Sequence, residues 1–215
     1  RSDGTLDLQR YTRSELAHAL IQIKGQRLNM DDYPMFRAIY DGDWRSMLLM
    51  TSRQVGKSTT LAGYGIIETL ARPHFQTIFV TPSGEQTRRF STLKVGKMIQ
   101  YSPFVKKYFV GYDASNRVLL RQFSNGAEMA FSYAMEDADR VRGLSGDRAC
   151  LDEYQDLLPD AIEPVIEECL RQSKFRYMMR CGTPKTNENA IQIKWEESTQ
   201  SEWIIPCFGC NKWNA

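Results

Sequence analysis

A chain of 215 residues, 42% hydrophobic and 25% charged, buries roughly 70% of its extended surface and supports one packed globular domain. No run approaches the roughly 18 apolar residues of a membrane span and the polar N-terminus has no signal-peptide core, so a cytosolic protein without membrane contact is expected. The net charge of +2 excludes a uniformly basic polyanion binder, and five cysteines, odd in number and mostly in apolar segments, read as reduced thiols and not as a disulfide framework.

The first periodic segment, Thr12 to Lys24, reads as a helix: Thr12 and Glu15 have capping-box spacing, and Leu16, Leu20 and Ile23 mark one apolar face. It belongs to an N-terminal helical segment, residues 1–30. Asp31 to Tyr40 is a turn entering a short helix. The apolar run Ser46 to Thr51 then reads as a strand, followed directly by Ser52-Arg53-Gln54-Val55-Gly56-Lys57-Ser58-Thr59 and by a helix-forming run from Leu61 to Ala71. Strand, glycine turn and helix in that order make a phosphate-binding loop. Its chemistry needs inward-facing backbone N–H groups, a lysine to neutralise phosphate, a small hydroxyl for magnesium and a helix N-terminus aimed at the anion. Gly56, Lys57 and Ser58 fill those places. The usual pattern also has a glycine five residues before Gly56, where this chain has Thr51, and Arg53 stands inside the loop.

Gln76 to Thr81 is a second β-rich run, closed by Pro82-Ser83-Gly84, and one helix is expected from about Glu85 to Tyr101. Between Glu85 and Asn125 stand Arg88, Arg89, Lys94, Lys97, Lys106, Lys107, Arg117 and Arg121 against only Glu85 and Asp113, a stretch that suits a polyanion or, equally, a solvated helix face. Arg117 to Phe123 and Glu128 to Tyr133 flank Ser124-Asn125-Gly126 and read as an antiparallel hairpin inserted in the alternating pattern. Arg148 to Asp152 is a short strand, Leu158 to Gln172 a helix and Phe175 to Cys181 another strand. Strands alternating with helices imply a mainly parallel sheet covered on both faces.

A phosphate loop alone serves many reactions, and Ala149-Cys150-Leu151-Asp152-Glu153 narrows them. On a buried strand adjacent to the phosphate-loop strand, Asp152 would hold magnesium through its water shell, and Glu153 would deprotonate the attacking water, a role a phosphotransferring kinase does not need. The plain alternative is that both acids cap the next helix. In Cys181-Gly182-Thr183-Pro184, Thr183 at a strand end would bond the γ-phosphate or the water, unless Gly-Thr-Pro is only a turn. One guanidinium at the transition state is worth about 10³–10⁵ in rate; Arg53 is the candidate in cis, and Arg140 and Arg142, in a loop before the acidic strand, could reach a neighbouring subunit or sit in surface ion pairs. Cys207-Phe208-Gly209-Cys210 has the spacing of half a zinc site, and zinc would require further ligands from beyond it.

Together these elements resemble the ATPase domain of the large terminase subunit, the DNA-packaging motor of tailed bacteriophages. Ser52 to Thr59 looks like that family's phosphate loop, which lacks the first glycine and carries an early arginine or lysine. Thr81-Pro82-Ser83 with Gln86 is similar to its next motif, Asp152-Glu153 to its acidic pair, Gly182-Thr183-Pro184 to its coupling motif, and Arg142-Gly143 to the Arg-Gly where a trans-acting finger is placed. Tyr33-Pro34 resembles its adenine-binding element, with Met35 and Phe36 where a glutamine is usual, and Arg148 stands where a hydrophobe is expected. Trp203 to Cys210 looks like a cysteine-bearing segment of lambda-type members.

The resemblance implies an α/β fold of the P-loop NTPase, ASCE/RecA-like class, with a mainly parallel sheet flanked by helices and a β-hairpin insertion. The ATPase domain would span 31–205, and 206–215 would begin a linker or zinc-ribbon-like segment of a longer chain whose nuclease part lies elsewhere. It implies ATP and Mg²⁺ as cofactors; double-stranded DNA, a homo-oligomeric ring, a portal protein and a small terminase subunit as partners; and the infected host's cytoplasm as location. Two other functions stay open on the sequence: a superfamily 2-type helicase domain, whose acidic motif also begins Asp-Glu, and an ATP-gated assembly adaptor without turnover.

Overall fold

The computed structural model describes residues 8–31, 33–109 and 116–214; residues 1–7 of the N-terminal segment and Asp32 in the expected turn lie outside them. After a 3₁₀ turn at Leu8–Arg10, helix α1 spans Arg13–Leu20. Its capping box is present: Thr12 Oγ1 accepts the Glu15 N–H at 3.3 Å and Glu15 Oε2 accepts the Thr12 N–H at 2.8 Å. The helix stops four residues before the expected Lys24. Ile21 is already extended, and β1 (Gln22–Ile23) turns through Lys24 (φ 51°) and Gly25 (φ 82°) into β2 (Gln26–Arg27). Two successive left-handed residues make a hairpin turn that a helix cannot contain.

Helix α2 (Met35–Asp41) leads to strand β3 (Ser46–Met50), helix α3 (Lys57–Ala71) and strand β4 (Gln76–Thr81). The long helix expected next runs from Gly84 to Tyr101 but is not regular: α4 (Gly84–Arg89) passes into a π-helical stretch, Phe90–Gly96, before α5 (Lys97–Tyr101). The cause is a side chain inserted into the backbone ladder. The buried Arg121 donates through Nη2 to the Ser91 carbonyl at 2.8 Å, and Gly96 opposite leaves room for the guanidinium, since a Cβ there would sit 3.0 Å from Nη2. Arg121 is therefore withdrawn from the exposed basic stretch.

Helix α6 (Pro103–Phe109) precedes strands β5 (Asn116–Arg117), β6 (Leu120–Gln122) and β7 (Glu128–Tyr133). Then follow β8 (Arg148–Asp152), a 3₁₀ turn (Tyr154–Asp156), α7 (Pro159–Leu170), β9 (Tyr177–Gly182), α8 (Ala190–Glu196) and a small antiparallel hairpin, β10 (Ile205–Pro206) with β11 (Trp213–Asn214). Among the described residues the main sheet has seven strands in the order β3-β9-β8-β4-β7-β6-β5, parallel from β3 to β7 and antiparallel beyond.

Three sequence expectations change here. The segment from Arg117 to Phe123 is not one strand, because Val118-Leu119 turns β5 into β6; and β7 is no mere insertion, since it pairs in parallel with β4 along its whole length while β6 adds the antiparallel edge. Nor does the Asp152 strand adjoin the phosphate-loop strand: β9 lies between β3 and β8. The interposed strand moves Asp152 away by one strand spacing, ~4.8 Å, and places Thr183, just beyond the end of β9, in the middle of the site.

Strand alternation assigns every functional side chain to a face. Met47 and Leu49 of β3, Phe79 of β4, Cys150 of β8 and Met179 and Cys181 of β9 pack in one core with Leu61, Tyr64 and Ile67 of α3. Ile78, Val80, Ala149, Leu151 and Met178 point the other way, onto Ile162 and Ile166 of α7. Asp152 and Arg148 share the parity of Cys150, and Thr183 that of Cys181; all three therefore face α3. Arg180, one residue out of phase, instead meets Glu163 of α7, Nε to Oε1 at 2.5 Å.

Candidate active site

The phosphate loop takes its shape from two left-handed residues, Gln54 (φ 64°) and Gly56 (φ 87°). At Gly56 the conformation, not lack of space, requires glycine, because an added Cβ would meet only the Phe36 ring at an ordinary 3.6 Å. The position where a first glycine is usual needs none. Thr51 still belongs to the sheet edge, its N–H donating to the Gly182 carbonyl at 3.2 Å.

Lys57 opens α3 and is buried, and its Nζ donates to Thr183 Oγ1 at 2.6 Å across 126 residues of sequence. Beside it the Ser58 hydroxyl donates to Asp152. Burial, then the neighbouring Glu153 charge, push the Asp152 carboxyl up to about 6, against the downward pull of Ser58, the Glu153 N–H and Lys57. Asp152 Oδ1 is buried without a hydrogen-bond partner. An orphaned carboxylate oxygen next to a hydroxyl at a helix N-terminus is the donor set magnesium takes with few protein ligands, the rest being water and phosphate. No cluster of three or more His, Cys, Asp or Glu that could hold a metal occurs among the described residues.

Glu153 follows β8 in a left-handed conformation (φ 54°, ψ 45°), a strain of about 1–3 kcal/mol for a residue with a Cβ. That turn lifts its carboxylate out of the sheet and into a cavity of about 430 Å³ also lined by Arg53, Gly56, Lys57, Ser58, Thr59 and Thr183. Glu153 Oε2 accepts from Gln155 Nε2 at 2.6 Å, and Gln155 Oε1 accepts the Thr183 N–H at 3.0 Å. The cavity thus brings together a buried cation, a hydroxyl pair, a carboxylate and a helix N-terminus, an arrangement suited to a polyphosphate and an attacking water.

The expected residues divide into those inside this cavity and those outside. Arg53, Gln54 and Thr59 line it, and Arg53 is exposed with no partner among the described residues. Ser52 is exposed, its carbonyl accepting from Thr51 Oγ1, while Val55 turns inward against the α3 core. Tyr33 is 43% exposed and stacks on Phe36 at 6.0 Å, away from the cavity lining. Arg142 is exposed and pairs with Asp139 at 3.2 Å, and Arg140 lies over the Tyr133 ring at 4.8 Å; neither lines the cavity of its own chain. Cys207 and Cys210 are free thiols in the turn joining β10 to β11, where the Cys210 backbone N–H, then that of Gly209, hold the Cys207 thiol below its ordinary range.

Sequence reasoning missed Lys94, Gln155, Asp156 and Lys185, which also line the cavity. Lys94 reaches it from the π-helical stretch, Nζ to Thr59 Oγ1 at 3.4 Å, and Lys185 pairs with Asp156. A regular helix gives no hint of the first, and the bonds of Gln155 depend on the fold of a strand 28 residues away.

Comparison with solved structures supports the same fold. The HK97 bacteriophage large terminase matches with a TM-score of 0.64 at 17% identity, over 88% of this chain and 42% of that one. The Thermus phage P74-26 large terminase ATPase domain matches with a TM-score of 0.56 at 20% identity, over 75% of this chain and 66% of that one. The chain thus spans less than half the length of the HK97 protein. No curated protein matches the sequence. The family model for the phage terminase large subunit gpA ATPase domain covers residues 31–215, and with the phosphate loop, the acidic strand end and Thr183 assembled around one cavity, the chain belongs to that family.

Proposed function

We propose that this chain is the ATP-hydrolysing motor domain of a terminase large subunit that translocates double-stranded DNA into a procapsid. The observation that carries the reading is the meeting of Lys57 with Thr183 at 2.6 Å beside Ser58, Asp152 and Glu153, around one cavity. Lys57 binds the β- and γ-phosphates, exchanging the Thr183 hydroxyl for an anionic oxygen. Ser58 and Asp152 hold magnesium, which when bound supplies positive charge to the phosphate oxygens. Glu153 accepts a proton from the attacking water, and Thr183 orients the water or the γ-phosphate. Arg53 offers a guanidinium in cis, and the exposure of Arg142 suits one offered to a neighbouring copy in a ring.

The same proposal takes DNA as track, a portal protein and a small terminase subunit as partners and the infected cell's cytoplasm as location, and family membership supports it; among the described residues no helix is long and apolar enough to cross a membrane. Tyr33 contributes to the nucleotide pocket through its stack on Phe36, which abuts Gly56. The working division is a helical segment over 1–30, the ATPase domain over 31–205 and a linker from 206, where Cys207 and Cys210 bind zinc only with two further ligands.

The test is Glu153→Gln. The variant binds an ATP analogue with unchanged affinity and loses about 10²–10⁴ in turnover, the share a general base supplies; hydrolysis at the unaltered rate would overturn the assignment. If Arg53→Ala abolishes turnover and Arg142→Ala does not, the cis arginine is the operative one. A turnover rate per chain that rises with protein concentration and is lost in Arg142→Ala identifies the trans one.

A further inference from the structure

We infer that Gln155 is a positioning residue that fixes the Glu153 carboxylate relative to Thr183, so that the base and the strand end touching Lys57 move as one unit. This rests on the reading of Glu153 as the base. The orientation of the Gln155 amide is set by chemistry. The backbone N–H of Thr183 can only donate, so the amide oxygen must face it, at 3.0 Å. The amide nitrogen is left for carboxylates, and it donates to Glu153 Oε2 at 2.6 Å and to Asp156 Oδ2 at 3.3 Å. A flipped amide would set oxygen against two carboxylates and a nitrogen against an N–H, losing every bond at once.

The backbone is shaped around this link. A Cβ on Gly182 would lie 2.3 Å from Gln155 Oε1 and 3.2 Å from the Tyr154 backbone nitrogen, so glycine leaves the room in which the Gln155 amide sits against the end of β9. The left-handed Glu153 and the 3₁₀ turn after it bring residue 155 back beside residue 153. A continuous chain of contacts results: Lys57 Nζ to Thr183 Oγ1, Thr183 N–H to Gln155, Gln155 to Glu153. When Lys57 exchanges Thr183 for a phosphate oxygen, any shift of Thr183 is carried to the base through a single side chain.

The experiment compares steady-state ATP turnover, affinity for a non-hydrolysable ATP analogue and melting temperature in the full-length protein and in Gln155→Met, Gln155→Glu, Glu153→Gln and the double variant Glu153→Gln/Gln155→Met. Methionine keeps the length of the side chain and loses both bonds; glutamate keeps the acceptor for Thr183 and loses the donor to Glu153. The expected result is a 10–100-fold fall in kcat for both single Gln155 variants, analogue affinity within threefold of the unaltered protein, and no further loss when Gln155→Met is added to Glu153→Gln. A Gln155→Met turnover equal to the unaltered protein's, or a loss matched by equal losses of affinity and folded fraction, or an effect that multiplies with Glu153→Gln, overturns the positioning role while the base assignment stands. Full turnover by Glu153→Gln removes the base assignment and the positioning role with it.

Discussion

Helix α3 carries a charged cluster at each end, and the two are built in opposite ways. At its N-terminus Lys57 is buried against a neutral hydroxyl and Arg53 stands free among the described residues, facing an open cavity. Towards its C-terminus Glu68, 1% exposed, is closed in by Arg148 at 3.6 Å, Arg72 at 3.4 Å and Arg13. The Arg148 guanidinium lies between the rings of Tyr64 and Tyr177, 4.6 Å and 4.5 Å from their centres. Both clusters use one strand: Arg148 and Asp152 are ~13 Å apart along β8, against ~15 Å from Ser58 to Glu68 along the antiparallel α3. One end is enclosed by protein, its charges paired with or stacked on other side chains; the other opens onto a cavity that a polyphosphate can enter.

Removing one charge from each cluster sharpens that contrast. Glu68→Ala strands Arg148 in the core and is expected to cost about 3–5 kcal/mol, on the order of 10 °C in Tm, with turnover per folded molecule unchanged. Removing Arg148 as well, as Glu68→Leu/Arg148→Met, restores most of the loss, because Arg13 and Arg72 are partly exposed and reach solvent. Thermal melts and activity normalised to folded protein separate the two; equal damage from the single and double variants would break the account.

Lys57→Met has the reverse signature: turnover falls about 10²–10³-fold, ~3–4 kcal/mol at the transition state, while the nucleotide-free protein melts no lower than before. A large fall in Tm would mean that the lysine holds the fold, as Arg148 does.

The smallest expected effect is a pH dependence confined to the open end. The folded Asp152 carboxyl, at about 6, lies above its unfolded value near 3.9, so its contribution to stability is complete below pH ~4 and lost as pH rises to ~6, up to about 3 kcal/mol. Denaturant unfolding between pH 4 and 7 without nucleotide should show this decline, and Asp152→Asn should abolish it. Mg²⁺-ATP at pH 7 should restore the stability, since the cation replaces the proton.

Much of the open end was legible in the sequence because it is local. The phosphate loop is eight consecutive residues whose shape follows from a left-handed glycine and a helix N-terminus, and strands β4 and β8 match the expected Gln76–Thr81 and Arg148–Asp152. The closed end was not legible. Arg148 read as an anomaly in an apolar strand, and its partner Glu68 lies on a helix whose length from the strand says nothing of which face it turns inward.

What the sequence by itself determined is therefore the set of short-range devices: the Thr12 capping box, the phosphate loop, the strand end at Asp152 and the Gly182-Thr183-Pro184 motif, and through them the family. What only the tertiary structure decided is which of these meet. Alternation along a strand fixes two faces but not the neighbours, so the insertion of β9 between β3 and β8, the Lys57 contact with Thr183 and the link from Thr183 through Gln155 to Glu153 arise only when parallel strands are laid in order. The π-helical turn that brings Lys94 to the cavity belongs with them, since it exists because Arg121, 30 residues away in sequence, takes a helix carbonyl for itself.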